Sequence, residues 1–224
     1  MIKMVVFDMA GTTVDEDNVV YKTLHKAINE AGVDVSLDNV LLHGAGKEKL
    51  KAIKDILLSY GVVNKAVTDN AYQYFLAHLA NAYNVLPIKS QVGALDLFAT
   101  LKQLGIKVVL NTGYNRETAE LLLTKLNWQI GSQIDGLVTA SDVIHNRPLP
   151  DMIYLAMQQQ GITDAALVAK VGDSAIDIEE GKNAGCGLSI GITTGAHTVN
   201  QLQSAKPDYI INNLAALIPI INSL

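Results

Sequence analysis

The chain has 224 residues, of which 49% are hydrophobic, and its 17 basic and 22 acidic side chains give a net charge of −5. This length and apolar content allow a substantial buried core. The absence of a basic block argues against a nucleic-acid partner, and the short, interrupted apolar runs argue against a membrane span. There is no signal-like N-terminal segment, and the single cysteine, Cys186, excludes an internal disulfide. We therefore expect a cytoplasmic protein whose partner is a small molecule.

A short apolar segment opens the chain and ends on a carboxylate. Residues 2–7 are rich in Val, Ile and Phe, which predicts a strand buried on both faces. Asp8 then lies at the carboxyl end of that strand, where ligands bind in open parallel sheets. The Gly11-Thr12-Thr13 segment that follows lets backbone N–H groups and hydroxyls approach an anion. This pattern suggests that Asp8 is a nucleophile beside a phosphate site.

Residues 17–86 have the apolar spacing of helices rather than strands. Four helical segments are predicted, and glycines at 32, 44 and 61 end three of them. A run of helices inside an α/β chain predicts an inserted helical cap domain over 17–86. The catalytic core then consists of residues 1–16 and 87–224, with hinges near 15–18 and 84–89.

Strands and helices alternate from Pro87 to the end of the chain. This alternation predicts an α/β fold with a doubly wound, Rossmann-like parallel sheet. Predicted helices cover about 90–104, 116–126 and 150–160, and a fourth follows Asp177 and ends at Ala184. Predicted strands cover 106–110, 136–139, 167–171, 188–192 and 209–211.

Polar side chains follow three of the predicted strands. Asp8, Thr112 and the pair Asp173 and Asp177 are far apart in sequence, yet the topology brings them to one edge of the sheet. Carboxylates gathered at one site repel each other, and a hard divalent cation relieves that repulsion. Mg²⁺ suits carboxylate oxygens together with a phosphoryl oxygen of a substrate. The sequence therefore predicts a magnesium site at this edge.

Residues 8–15, Asp-Met-Ala-Gly-Thr-Thr-Val-Asp, resemble the first motif of the haloacid dehalogenase superfamily. Most of its phosphatases have an acid where Ala10 stands here. The phosphonatase-like branch, which is similar to phosphonoacetaldehyde hydrolase, has alanine. The resemblance implies a hydrolase in which Asp8 takes up a phosphoryl group. It further implies that Asp8, the Ala10 carbonyl, Asp173 and Asp177 hold the metal, while Thr12, Thr112 and the Gly113 amide hold phosphoryl oxygens.

A basic residue stands at the place of the superfamily's third motif, which is usually lysine. Here it is Arg147, followed by Pro148, as in phosphonatase-type sequences. A guanidinium holds two oxygens at once, so it preserves the electrostatic task of that lysine.

The predicted cap carries a second motif, His43-Gly44-Ala45-Gly46-Lys47. It resembles the Met-Gly-x-x-Lys of phosphonatase-type caps, in which the lysine forms a Schiff base with the substrate aldehyde. The resemblance implies this role for Lys47, with Lys49 as the substitute if the short loop shifts register. His43 takes the place of the methionine. Tyr114, which follows Thr112 and Gly113, matches the tyrosine of phosphonatase-type Ser-Thr-Gly-Tyr patterns, and the resemblance implies that both residues contact the substrate.

Ala10 and the cap lysine fit one mechanism. Cleavage of a C–P bond expels a carbanion, and a protonated imine accepts those electrons without help from an acid at position 10. We therefore expect cleavage of phosphonoacetaldehyde or a similar 2-oxoalkylphosphonate. The alternatives are a phosphate monoester hydrolase of the same superfamily and a binding protein that has lost turnover, although the nucleophile and metal residues are all present. The resemblance also suggests a homodimer.

Overall fold

The computed structural model describes residues 1–223, and its centre is a six-stranded sheet in which all neighbouring strands are parallel. The spatial order is β5-β4-β1-β6-β7-β8. This order confirms the predicted doubly wound α/β class. The strands are β1 (Met4–Phe7), β4 (Lys107–Thr112), β5 (Gly136–Thr139), β6 (Val168–Gly172), β7 (Leu188–Ile192) and β8 (Tyr209–Ile211).

Strand β1 lies in the middle of the sheet and is buried on both faces. Met4 and Val6 pack on one face, and Val5 and Phe7 pack on the other, as the alternation of side chains along a strand requires. Phe7 is in register with Leu110 of β4 and Val171 of β6. The polar residues that follow these three strands therefore emerge side by side.

Helices cover both faces of this sheet. Helix α5 packs with α10 on one face, and α7 packs on the other. Within residues 1–223, no helix combines the length and the low polarity that crossing a bilayer requires. The helices of this part are α5 (Ala94–Gln103), α6 (Arg116–Leu126), α7 (Asp151–Gln160), α8 (Ala175–Ala184), α9 (Val199–Ser204) and α10 (Leu217–Asn222).

Four further helices occupy the segment for which the sequence predicts a cap. Helix α1 packs against α4, and α2 packs against α3. Buried apolar residues such as Leu24, Ile28 and Phe75 fill the space between them. The four are α1 (Val19–Glu30), α2 (Leu37–Gly44), α3 (Lys49–Ser59) and α4 (Lys65–Val85).

A small antiparallel ribbon connects these helices to the core. It consists of β2 (Val14–Asp15) and β3 (Lys89–Ser90), which pair with each other outside the main sheet. Because residues 89 and 90 belong to this ribbon, α5 begins at Ala94 rather than at 90 as predicted. Strands of two residues have no periodicity that a sequence pattern reveals.

The loop between α2 and α3 lies directly on the core. Gly46 has φ +71°, and a methyl group there would overlap the side chains of Ser174 and Ile176. A methyl group at Gly113 would overlap the Lys47 carbonyl. His197 accepts a hydrogen bond from the Ala175 amide at Nδ1, so its Nε2 donates to the Leu41 carbonyl at 3.2 Å. The helical segment is thus seated on the edge where the strands end.

Substituting Gly46 with alanine tests this seating. Gly61 is the matched control, because its φ of +73° carries the same backbone strain while nothing lies within 4 Å of an added methyl group. In urea unfolding we expect Gly61→Ala to cost about 1 kcal/mol, and Gly46→Ala to cost about 1–3 kcal/mol more from overpacking. Equal losses in the two variants would show that the loop does not pack tightly on the core.

Candidate active site

Three buried carboxylates meet at the carboxyl edge of the sheet. Asp8 follows β1, Asp173 follows β6, and Asp177 lies in the first turn of α8. One oxygen from each lies within 4.8 Å of the others. Burial, together with the charges of Asp8 and Asp177, raises the pKa of Asp173 well above its usual range. An all-oxygen, mutually repelling donor set of this kind fits a hard divalent cation.

Glycines allow the backbone to surround Asp173. Gly11 has φ +80°, and a methyl group there would collide with the Asp173 carboxylate. The same holds for Gly195. The Ala196 amide donates to Asp173 Oδ2 at 2.6 Å, and the Thr12 hydroxyl donates to Oδ1 at 3.3 Å. Thr12 therefore contributes to the site by fixing a carboxylate.

Arg147 is the central cation of the cluster. Its Nη1 lies 2.7 Å from Asp8 Oδ1 and 2.9 Å from Asp177 Oδ1. Although burial acts in the opposite direction, Arg147 and Lys170 hold the pKa of Asp177 below its ordinary value. Burial raises the pKa of Asp8, and Arg147 opposes this rise. Nη1 also donates to the Gly46 carbonyl at 3.2 Å, so Arg147 joins the core to the α2–α3 loop.

The sequence analysis did not identify three residues of this cluster, Asn111, Lys170 and Glu180. Lys170, in the middle of β6, lies 2.9 Å from Asp177 Oδ1, and its Nζ donates to Asn111 Oδ1 at 2.7 Å. Glu180 accepts from Arg147 Nε at 2.9 Å. A lysine inside a strand that is buried on both faces needs anionic partners, and Glu180 lies three residues after Asp177 on one helix face. The signals for Lys170 and Glu180 were therefore present in the sequence.

The charges of the buried cluster do not balance within the protein. Asp8, Asp173, Asp177 and Glu180 supply four carboxylates, and Arg147 and Lys170 supply two cations. When all are ionised, the excess is two negative charges. A divalent cation would cancel that excess, which is a second reason why the residues fit a metal.

Thr112 ends β4 beside this cluster. It is buried, and its hydroxyl oxygen accepts a hydrogen bond from the Tyr114 amide at 3.2 Å. The hydroxyl proton is therefore directed away from Tyr114. Gly113 follows against the Lys47 carbonyl. That Thr112 and Gly113 hold phosphoryl oxygens stays a prediction.

The two lysines of the predicted cap have different surroundings. The Lys47 ammonium forms an ion pair with Asp55 at 2.5 Å, and Lys51 pairs with the same carboxylate. Lys49 is buried, and its Nζ lies 2.6 Å from the Lys47 carbonyl and 5.0 Å from the centre of the Tyr114 ring. The structure thus brings Lys49, not Lys47, against Tyr114.

Burial lowers the pKa of Lys49 to about 8, and the charge of Arg147 acts in the same direction. Asp8, Glu48 and Glu16 act in the opposite direction. An amine with this pKa is partly neutral near physiological pH. Lys49 is therefore available as a nucleophile in a way that an exposed lysine is not.

A cavity of about 290 Å³ lies beside Lys49 and Tyr114. Helix α4 supplies an apolar wall that includes Phe75 and Leu79, and polar side chains come from the loops that follow β4 and β5. His43, predicted as a substrate contact, is half-buried in the last turn of α2 and does not line this cavity. The predicted contact of His43 with the substrate stays a prediction.

A family model described as haloacid dehalogenase-like hydrolase matches residues 2–185. The chain belongs to the haloacid dehalogenase-like hydrolases. It is therefore an enzyme, and its buried Asp cluster fits the divalent metal that such hydrolases typically use.

Two relatives and one solved structure add detail. A phosphonoacetaldehyde hydrolase of Parabacteroides distasonis is 32% identical over 93% of this chain and 81% of its own length. A probable phosphatase of Dickeya dadantii is 29% identical over 100% of this chain and 95% of its own length. The crystal structure of a phosphonoacetaldehyde hydrolase-like protein from Oleispira antarctica has a TM-score of 0.86 at 22% identity and covers 99% of this chain and 92% of that one. Relatives of two named activities, a phosphonoacetaldehyde hydrolase and a probable phosphatase, thus resemble the chain.

The metal site can be tested by thermal unfolding. We expect millimolar MgCl₂ to raise the melting temperature of the wild type, since a ligand at 100 times its dissociation constant stabilises by about 2.7 kcal/mol. Asp173→Asn should lose most of this rise. Asp69→Asn in α4, at an exposed carboxylate, is the matched control and should keep it. An undiminished rise in Asp173→Asn would contradict the assignment.

Proposed function

We propose that this enzyme is a Mg²⁺-dependent hydrolase that cleaves the C–P bond of a 2-oxoalkylphosphonate such as phosphonoacetaldehyde. The observation that carries the proposal is the buried Lys49 amine, with a pKa lowered to about 8, against the loop that follows Thr112. A carboxylate nucleophile and a partly neutral amine that interact electrostatically suit a substrate with both a phosphoryl and a carbonyl group.

The carbonyl end of the substrate reacts with Lys49. The amine nitrogen adds to the carbonyl carbon and water leaves, which gives a protonated imine. When the C–P bond breaks, its electron pair moves into the iminium and forms an enamine. The enamine carbon then takes up a proton, and hydrolysis returns the amine and releases the methyl carbonyl product. Since this route needs no acid for the leaving group, Ala10 at that position is consistent with it.

The phosphoryl group passes to Asp8. A carboxylate oxygen of Asp8 forms a bond to phosphorus as the C–P bond breaks, and water later hydrolyses the acyl phosphate to free phosphate. Arg147 holds Asp8 Oδ1 at 2.7 Å and fixes the direction of attack. The Thr112 hydroxyl and the Gly113 amide would donate to phosphoryl oxygens. Mg²⁺, held by Asp8, the Ala10 carbonyl, Asp173 and Asp177, would neutralise charge between carboxylate and phosphoryl group.

The alternative is a phosphate monoester hydrolase. The relative in Dickeya dadantii carries the name of a probable phosphatase, and the Asp8 chemistry serves an ester equally well. A poor alcohol leaving group, however, needs a proton donor, and Ala10 supplies none. Lys49 would also have no part in ester hydrolysis. These two points favour the phosphonate.

Conservative substitution of Lys47 and Lys49 tests which amine forms the imine and whether the substrate is a phosphonate or a phosphate ester. We expect Lys49→Arg to reduce phosphate release from phosphonoacetaldehyde by at least about 10³-fold, because a guanidinium does not form an imine. Lys47→Arg keeps the pairing with Asp55 and should change the rate less than about fivefold. Release is measured with Mg²⁺ present, and hydrolysis of p-nitrophenyl phosphate is followed in parallel.

If Lys49→Arg retained activity on phosphonoacetaldehyde, the imine role of Lys49 would be wrong. Hydrolysis of phosphate esters without any release from phosphonoacetaldehyde would favour the phosphatase instead.

Arg147→Lys tests the need for the guanidinium. The change keeps the charge, but a lysine cannot reach Asp8, Glu180 and Asn111 together, as Arg147 does. We expect kcat to fall by about 10–100-fold on phosphonoacetaldehyde and on p-nitrophenyl phosphate alike, since Arg147 acts on the phosphoryl side. The half-buried Arg116 in α6 pairs with Asp142 and Glu120 outside the carboxylate cluster; it is the control, and Arg116→Lys should retain wild-type rates. A loss confined to one substrate would contradict this role.

A further inference from the structure

Three buried side chains, Glu16, Tyr83 and Tyr114, form a chain of hydrogen bonds that links the hinge to the active site. Tyr83, near the end of α4, donates a hydrogen bond from its hydroxyl to Glu16 Oε2 at 2.9 Å. The Tyr83 and Tyr114 hydroxyl oxygens are 2.6 Å apart. Glu16 directly follows β2, and Tyr114 follows β4. The chain therefore joins both connections of the helical segment to the edge of the sheet.

The hydrogen bonds of this chain run in one direction. Burial raises the pKa of both tyrosines well above the ordinary value, so their hydroxyls stay protonated near neutral pH. An ionised Glu16 has no proton to donate, and its Oε2 also accepts a hydrogen bond from the Val20 amide at 2.9 Å. Since Tyr83 donates to Glu16, Tyr114 donates to Tyr83. Bonds aligned in this way polarise one another.

Glu16 is a buried acid without a close cation. Its exposed fraction is 3%, and within residues 1–223 no lysine or arginine nitrogen lies within 4 Å of it. Burial raises its pKa to about 7, while the hydrogen bonds from Tyr83 and Val20 and the charges of two lysines oppose this. The titratable groups that face it are Lys49 of α3, Lys22 and Tyr21 of α1, Tyr83 of α4, and Tyr114.

The other end of the chain lies under the proposed imine. The Lys49 Nζ is 5.0 Å from the centre of the Tyr114 ring, which attracts a cation through its negative face. A Tyr114 hydroxyl that donates towards an anion has more electron density in its ring. The charge of Glu16 thus reaches the Lys49 nitrogen through Tyr83 and Tyr114 as well as through space.

We propose that Glu16 is a positioning residue that acts on Lys49 through Tyr83 and Tyr114. It holds the Tyr114 ring beneath the amine, and its ionised form favours the cationic states of that nitrogen. This inference rests on the proposed function, because the cationic state that matters for C–P cleavage is the protonated imine. It also couples the cap hinge to the chemistry, since the chain is complete only when Glu16, Tyr83 and Tyr114 meet.

The direct test is the titration of Lys49 in protein labelled with ¹³C at lysine Cε. The NMR signal is assigned by its loss in Lys49→Arg, and its midpoint in the wild type should lie near pH 8. Glu16→Gln removes the charge but keeps an oxygen acceptor, so the midpoint should fall by about 0.5–1 pH unit. Asp15→Asn makes the same change one residue earlier, at an exposed side chain, and should leave it unaltered.

Tyr83→Phe leaves the Glu16 carboxyl group in place and breaks the chain of hydrogen bonds. We expect a smaller fall in the midpoint and a lower kcat on phosphonoacetaldehyde, with little change in KM. If Glu16→Gln does not fold, this variant still decides the role of the chain. A midpoint equal to that of the wild type in either variant would overturn the proposal.

The pH dependence of kcat/KM on phosphonoacetaldehyde separates this inference from the function on which it rests. The acid limb should move to lower pH in Glu16→Gln and stay in place in Asp15→Asn, whereas a purely structural role of Glu16 would lower the rate without moving the limb. If the wild type does not cleave phosphonoacetaldehyde at all, the proposed function fails, while the NMR titration still decides whether Glu16 acts on Lys49.

Discussion

The site depends on how buried charge is compensated at the carboxyl edge of the sheet. Parallel pairing of β1 with β4 and β6 brings Asp8, Asp173 and Asp177 together, and buried carboxylates at such distances are costly unless cations meet them. Arg147 and Lys170 meet part of this charge and leave an excess for a divalent ion. The glycines around Asp173 follow from the same constraint, because the backbone itself must donate to that carboxylate.

The candidate site combines residues of the core with residues of the helical segment. Arg147 binds both Asp8 and the Gly46 carbonyl, so the core cation also holds the α2–α3 loop. Helix α3 starts directly after that loop and carries Lys49 into an apolar setting, where burial lowers the pKa of its amine. Arg147 on one side and the buried Lys49 amine on the other would give the two ends of the proposed phosphonate different surroundings. Seating of the loop and reactivity of the amine are therefore linked.

The sequence predicts the carboxylate cluster of the core, which the structure confirms, and it leaves the choice between the two cap lysines open. Strand ends are fixed by dense apolar runs, so the positions of Asp8, Thr112 and Asp173 follow from topology. The lysine assignment depends on a short glycine-containing loop, whose register a motif does not fix. The apolar stripe of α3 indicates which lysine is buried: Lys49 lies three and four residues before the buried Ala52 and Ile53, whereas Lys47 precedes the helix. The β2–β3 ribbon and the Glu16 chain join residues distant in sequence, and no local pattern encodes them.

The most direct test of the account is to locate the covalent adduct. The wild-type enzyme is incubated with phosphonoacetaldehyde and Mg²⁺, treated with borohydride to reduce any imine, digested and mapped by mass spectrometry. We predict that the reduced two-carbon adduct is on Lys49, with Lys47 and Lys51 unmodified. An adduct on Lys47, or efficient phosphate release with no lysine adduct, would contradict the account.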